Sequence, residues 1–425
     1  MITALITLML VFLLFGVPIY VSMAFSGFLA VTFFSSINPM VMVQRFFGGM
    51  DAFALMALPF FILSANIMDA GGLSIRILKV ARALVGHVSG GMGMTAQLGA
   101  MFFGSLSGSA PSTVAAVGKI MYPELKRSGY STSFSTGLLA SAGCVSLILP
   151  PSITLIIYAA VTGVSVSRLF MAGIGAGLVF GCVSLLYIYL YSRKLNLQVD
   201  DRKATRQELL SSIKAATWAL MIPVIIMGGI YSGMFTPTEA AGVTAVYTMF
   251  VGLFIYREMS FKGLVTACKS TAITCGQILV MVAGAQALGW LLTIGQVPQA
   301  VTAAILNNVT SAILFLALLN VMLLIMGMFM EGIASIIIVA PLIFPVTGAF
   351  GIDPVHLGII MISNLAIGMF TPPLGMNIFV MSSIAKCDMM DMLPGIGRFF
   401  LVNVVALLLI TYIPAISLFL PNLLH

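Results

Sequence analysis

The sequence predicts an all-α polytopic membrane protein, built as an inverted-topology repeat with two re-entrant helical hairpins and two broken helices. Three observations carry this. Of the 425 residues, 60% are hydrophobic and 7% charged, with a mean hydropathy of +1.15, whereas a soluble domain carries about a quarter charged residues. Long apolar runs are interrupted by small polar residues and prolines at Gly104-Ser105-Leu106-Ser107-Gly108-Ser109 with Pro111, and again at Leu149-Pro150-Pro151-Ser152. Both interruptions return about 222 positions later, as Gly327-Met328-Phe329-Met330-Glu331-Gly332 and Thr371-Pro372-Pro373. Unpaired backbone groups are costly in lipid, so breaks persist at membrane depth only where the freed N–H and C=O groups meet protein, water, ions or a ligand. Matching breaks in two halves point to the binding site of a secondary transporter, and unrelated kinked helices would not share the spacing.

Residues 1–192 make the first repeat. Residues 2–35 are an apolar block split by Gly16-Val17-Pro18 into two spans, each slightly short for a core of about 30 Å. Residues 36–52 leave the membrane and lie along its interface, and 53–70 cross again. A basic loop follows with Arg76, Lys79, Arg82 and His87. The first hairpin covers about 91–127, turns at the serine-rich tip and ends in Lys119, Glu124, Lys126 and Arg127, so both of its bases read as cytoplasmic. Residues 131–167 form a helix broken at Pro150-Pro151, and 169–192 cross back. Residues 193–214 hold the longest charged run and are expected as a cytoplasmic linker ending in an amphipathic surface helix over 203–214.

Residues 215–425 repeat this order: spans at about 215–232, 238–256 and 270–293, a hairpin at about 301–350, a broken helix over 354–386 and a final span over 398–420. No Lys or Arg occurs between Lys269 and Lys386, which puts the bases of the second hairpin on the outer side. The two hairpins then enter from opposite faces, and both chain termini fall outside.

Composition excludes several classes. The net charge of +7 is spread over short loops, which fits cytoplasmic loop bias and a lipid bilayer rather than nucleic acid. The first apolar stretch runs into the second without a basic n-region or cleavage site, so it reads as a retained span rather than a secretory signal. Cys144, Cys182, Cys268, Cys275 and Cys387 show no disulfide or zinc spacing and are read as small hydrophobes. His87, His356 and His425 are scattered, and none lies in a break, which disfavours a metal cluster and an intramembrane serine hydrolase. No G-x-x-x-x-G-K-[ST] occurs, so ATP hydrolysis by this chain is not expected. A passive channel remains a rival to a carrier, because re-entrant hairpins also build pores.

At the tips, Ser105, Ser107 and Ser109 offer hydroxyls beside closely approachable backbone; helix packing by small residues is the plainer account, but it leaves Pro111 and the second break unexplained. Glu331 is the only acid between Glu258 and Asp353, and an intramembrane acid is a functional candidate by default. Thr236-Pro237-Thr238-Glu239 reads as an ordinary helix start.

Leu58-Pro59-Phe60-Phe61-Ile62-Leu63 with Gly71-Gly72, the Gly104-to-Ala110 tip, Ile148-Leu149-Pro150-Pro151-Ser152, Thr236-to-Ala241 and Thr371-Pro372-Pro373-Leu374-Gly375-Met376-Asn377 occur in that order. With them the chain resembles, over essentially its full length, the large membrane subunit of tripartite ATP-independent periplasmic (TRAP) transporters, the DctM type, and most of all the sialic acid branch. The resemblance implies an elevator-type, sodium-driven importer of an organic acid in the bacterial inner membrane. It implies two partners, a separate small four-helix membrane subunit and a periplasmic substrate-binding protein. The alternative it leaves open is a carrier of dicarboxylates. Ser107 and Ser152 match substrate-facing positions, with Ser109 and Glu331 completing the expected substrate set. Two or more sodium ions are expected on carbonyls where each tip meets its broken helix. One site lies near Gly104, Ser105, Ser107, Gly143, Ser146 and Pro150, and the other near Gly327, Glu331, Gly368, Thr371 and Met376.

Overall fold

The first repeat opens as expected: Ile2–Leu14 and Ile19–Phe34 meet at Gly16 and Pro18, where a positive φ at Gly16 and the missing proline N–H end one helix and start the next. The computed structural model describes residues 1–195 and 202–424, apart from the side chains of Leu73 and Ser74. Among the described residues every regular element is helical, and eight helices are long and apolar enough to cross a membrane. Pro39–Gly48 packs on Ile19–Phe34 and Phe261–Ile294 and is capped by the Asn38 side chain. Phe53–Ala70 follows as a 3-10 turn running into an α-helix.

Four boundaries differ from expectation, each for a local reason. The basic stretch after residue 70 is a helix, Leu73–Val85: Ile77, Leu78, Val80 and Ala81 are buried on one face while Lys79 and Arg82 are exposed on the other. Arg76 on this helix donates to both carboxylate oxygens of Glu258 and stacks 4.0 Å above the Tyr256 ring. That hydrogen bond holds the Glu258 carboxyl below its ordinary pKa. The segment expected as a separate surface helix is the start of one helix, Arg206–Tyr231, opened by a capping box between Thr205 and Glu208; residues 196–201 of the expected linker lie outside the described residues. The second hairpin begins at Ala312, not near 301, because Val297–Asn308 is a helix of its own and Ser311 caps the next. The last span is Met389–Tyr412; Pro414 denies an N–H and drives Ile413 out of helical geometry, so Ala415–Leu424 is a separate helix against Val166–Lys194.

Thr236 and Glu239 form the capping box that opens Pro237–Phe250, as the sequence indicates. Among the described residues all five cysteines are free thiols.

The helices pack in two groups. Ile19–Phe34, Phe53–Ala70, Arg206–Tyr231, Pro237–Phe250 and Phe261–Ile294 pack on one another, drawing on both halves of the chain. The hairpins and broken helices form the second group, and they interlock crosswise. Ala110–Arg127 of the first hairpin packs on Met376–Ala385 of the second broken helix, and Gly332–Phe350 of the second hairpin packs on Ile153–Thr162 of the first. Tyr158 Oη donates to the Pro354 carbonyl at 2.8 Å, and the Asn377 amide donates to the Ala140 carbonyl at 2.9 Å, so each unit is bonded to the other.

Candidate functional site

The first hairpin is Gly91–Ser107 followed by Ala110–Arg127. Its turn is two residues long: Gly108 takes φ 61°, open to glycine without cost, and Ser109 is extended. The tip lies directly on the first break. A Cβ on Gly108 would stand 3.2 Å from the Pro151 carbonyl oxygen, and one on Gly104 would stand 2.8 Å from the Ser146 Cβ.

The first broken helix runs Thr132–Ala142, tightens into a 3-10 turn at Gly143–Leu147, and resumes as Ile153–Thr162. The break frees carbonyls that hydroxyls then satisfy. Ser146 Oγ donates to Gly143 O at 2.6 Å, and Ser152 Oγ and Thr154 Oγ1 both reach Leu147 O, at 2.6 and 2.9 Å. These groups are fully or almost fully buried, where an unmet carbonyl would be costly.

The second unit repeats the plan with different chemistry. Ala312–Phe329 and Gly332–Phe350 meet at Met330-Glu331, both extended. Its broken helix stops at Gly368 and resumes at Met376. Backbone bonds close this gap: Leu374 N–H donates to Met328 O at 3.2 Å and Asn377 N–H to Met369 O at 2.9 Å, with Thr371 Oγ1 on Ile367 O at 2.6 Å. Gly327 and Gly368 lie back to back; a Cβ on Gly327 would stand 3.1 Å from the Gly368 Cα. The Pro-Pro bonds at 150-151 and 372-373 are both cis.

Both tips open on one cavity of about 430 Å³. Ser107 to Ser112 form its wall from the first hairpin, Leu147, Ile153 and Thr154 from the first break, and Glu331, Gly332, Ile333 and Met369 from the second unit. The opposite wall comes from the five-helix group: Tyr20, Asn66, Asp69, Thr274 and Gln277 among apolar neighbours. Three helices begin here, at Ala110, Ile153 and Gly332, and none has a side-chain cap on its first turn. Their free N–H groups carry partial positive charge toward the cavity, a ready anion site. No Lys, Arg or His lines the cavity among the described residues, and two carboxylates do, Asp69 and Glu331.

Of the expected substrate residues, Ser107, Ser109 and Glu331 are brought together in this cavity. Ser152 is not: it is fully buried behind Ile153, its hydroxyl spent on Leu147 O and Thr154. Of the expected cation residues, Gly104, Gly143, Ser146, Gly327, Gly368 and Thr371 collect at the two tip-to-break crossings, whereas Ser107 and Glu331 line the cavity. Gly104 sits on Ser146, and Gly143 backs onto the Ala110 carbonyl. Ser105 turns back to Phe102 O at 2.9 Å, and Pro150 is buried toward Gly173. In the second unit Gly327, Gly368 and Thr371 are packed together, and Met376 is exposed. The donors at both crossings are backbone carbonyls and hydroxyls, a hard all-oxygen set that fits sodium. Sequence reasoning missed the opposite wall. Its signal was present: Asp69 is an acid inside an apolar helix with Asn66 one turn before it, and Thr274 and Gln277 repeat that spacing on the facing helix.

The family model of the tripartite ATP-independent periplasmic transporter, DctM component, matches residues 6–416. The chain is 42% identical over 405 residues to the C4-dicarboxylate TRAP transporter large permease protein DctM of Pseudomonas aeruginosa, covering 94% of each chain. It is 34% identical to the sialic acid TRAP transporter large permease protein SiaM of Vibrio cholerae, covering 96% of this chain and 95% of that one. Among solved structures, the YdaH transporter of Alcanivorax borkumensis superposes with a TM-score of 0.52 over 87% of this chain and 86% of its own, at 15% identity, a likeness of fold. The paired breaks, the cavity between their tips and these matches lead to one assignment: the chain belongs to the DctM family, the large permease subunit of TRAP transporters.

Proposed function

We propose that this chain is the sodium-coupled permease of a three-part importer of an organic acid, N-acetylneuraminate being the first candidate. It receives the acid from a periplasmic binding protein and works with a small membrane subunit. In this reading the two hairpins are re-entrant from opposite faces, and the hairpin group moves as one body against the five-helix group, carrying the cavity across the membrane, with both termini on the periplasmic side. The observation that carries it is the convergence of three uncapped helix N-termini on a cavity without a basic side chain among the described residues. Such a site holds a carboxylate without locking it into an ion pair, as a carrier that must release its load requires. Sodium, when bound, supplies positive charge beside the solute; the residues that would hold it are the carbonyl-bearing Gly104, Gly143, Ser146, Gly327, Gly368 and Thr371. The dicarboxylate reading is favoured by the similarity to the Pseudomonas aeruginosa relative, and both share one test. The three proteins are reconstituted in vesicles and uptake of labelled N-acetylneuraminate and succinate is followed with and without an inward sodium gradient. Accumulation above equilibrium only with the gradient is expected. Equal flux with and without it would make the chain a channel.

A further inference from the structure

The wall facing the hairpin tips is polar in a pattern that holding a carboxylate does not require. Asn66 and Asp69 stand one turn apart on Phe53–Ala70, Thr274 and Gln277 one turn apart on Phe261–Ile294, and all four line the cavity from two helices that pack together. The Asn66 amide has a fixed sense. Its nitrogen donates at 2.9 Å to Thr271 Oγ1, whose own hydroxyl hydrogen is committed to Ala267 O. The Asn66 oxygen is therefore left to accept. Among the described residues, Asp69, Thr274 and Gln277 make no side-chain hydrogen bond within the chain. Lys119 lies two turns beyond Ser112 on the same helix and makes no ion pair with Asp69 among the described residues. Across the cavity stands Glu331, a second acceptor.

We infer that this fixed wall reads the uncharged end of the solute and sets its class: a monocarboxylate bearing hydroxyl or amide donors, with dicarboxylates excluded. This rests on the organic-acid reading above. One carboxylate of the solute lies at the helix N-termini of the hairpin side. The far end then meets the Asn66 oxygen, which only accepts, and Asp69 and Glu331, which only accept when ionised, while Thr274 and Gln277 serve either role. An O–H or N–H group there completes charge-assisted hydrogen bonds. A second carboxylate would instead face Asp69 and Glu331, like charges when ionised, with no lining base among the described residues, and a like-charge contact is a strong means of rejection. The wall belongs to the helix group that stays put in the proposed motion, so selection happens where solute and wall meet rather than within the carried site alone.

The test is direct binding at saturating sodium to the purified chain with its membrane partner, using gluconate, N-acetylneuraminate and succinate. In the parent, succinate should bind at least about tenfold more weakly than the two hydroxylated acids. Asp69→Asn, close in size and facing a cavity, should narrow that ratio by roughly tenfold, the scale of one charged hydrogen bond, with unchanged sodium affinity and melting temperature. Gln277→Ala should weaken gluconate by about threefold, the scale of one neutral hydrogen bond, and leave succinate unchanged. Succinate binding as tightly as gluconate in the parent, or an unchanged ratio in both folded variants, would overturn the inference and leave the transporter reading standing. If no organic acid binds or moves with sodium, that reading fails and this one with it.

Discussion

The two hairpin-plus-broken-helix units share a backbone plan and differ in the chemistry that closes it. In the first, Gly108 makes the tip turn, and the break at 143–152 is buried and sewn by the hydroxyls of Ser146, Ser152 and Thr154. In the second, no glycine turn is used, the tip carries Glu331, and backbone bonds to Met328 and Met369 close a gap whose Leu374 and Met376 are about half exposed. What stays constant is the close approach of tip to break, Gly104 on Ser146 in one unit and Gly327 on Gly368 in the other. The constancy lies in the backbone and the divergence in the side chains. That is the pattern expected if carbonyls at both crossings do one shared job, holding a hard cation, while tip side chains divide the work of holding the solute.

The largest effect should come from removing what keeps a break open. Pro150→Ala together with Pro151→Ala restores two N–H donors and lets helix propagate toward the 3-10 turn at Gly143–Leu147. The Leu147 carbonyl, now shared by the Ser152 and Thr154 hydroxyls, and the Gly143 carbonyl, now paired with Ser146, would be redirected. Sodium-driven uptake should fall by about a hundredfold or more, since two or more hydrogen-bonded contacts at about 1–1.5 kcal/mol each are lost together. Sodium titration of uptake checks it. Equal sodium dependence in parent and variant would detach the cation from the first crossing.

How much of this was legible in the sequence follows the same division. The breaks were visible because prolines and glycines act on the chain locally: Pro150-Pro151, Pro372-Pro373 and Gly108 punctuate wherever they stand. The helix-start role of Thr236 and Glu239 was legible for the same reason. The helix at Leu73–Val85 is masked in the sequence by three basic residues that suit a loop, although Ile77, Leu78, Val80 and Ala81 mark a buried face between them. The separate helix Ala415–Leu424 is not legible because one proline in an apolar run can kink or end a helix, and the sequence does not say which. Asp69 stands next to Gly71-Gly72, where an acid also suits the end of a span; only packing shows that it looks into the cavity. Ser152 shows the reverse limit: a hydroxyl at a break is equally suited to a ligand and to an orphan carbonyl, and here it serves Leu147.

A middle effect should come from the tip where the units differ most. Glu331 starts Gly332–Phe350 without capping it, so its carboxylate is free to face the cavity. Glu331→Gln keeps the shape and one acceptor while removing the charge. A hydrogen bond to an ionised group contributes about 1.5–3 kcal/mol, against about 1 kcal/mol for a neutral one, so solute affinity should weaken by roughly tenfold. Binding measured across a sodium series checks it. A variant that transports as well as the parent at every sodium concentration would make Glu331 a structural residue and leave the first tip to hold the solute alone.

The smallest effect should separate two serines of the first unit that the sequence grouped together. Ser107 lines the cavity, and its hydroxyl makes only a 3.5 Å contact with Ser109 O, so the protein itself loses almost nothing when it is removed. Ser107→Ala should raise the KM for the solute by about threefold, within the range of one neutral hydrogen bond, with an unchanged melting temperature. The carbonyls and the helix start at Ala110 survive the change, so sodium dependence should persist. Ser152→Ala removes a buried donor from Leu147 O and leaves Thr154 to serve it, 2.9 Å away. That variant should lower thermal stability, by about 1 kcal/mol, with little change in KM once the folded fraction is matched. If Ser152→Ala instead shifts KM and spares stability, the first break opens to the solute during transport, and the hydroxyl that closes it in this structure becomes a ligand in another conformation.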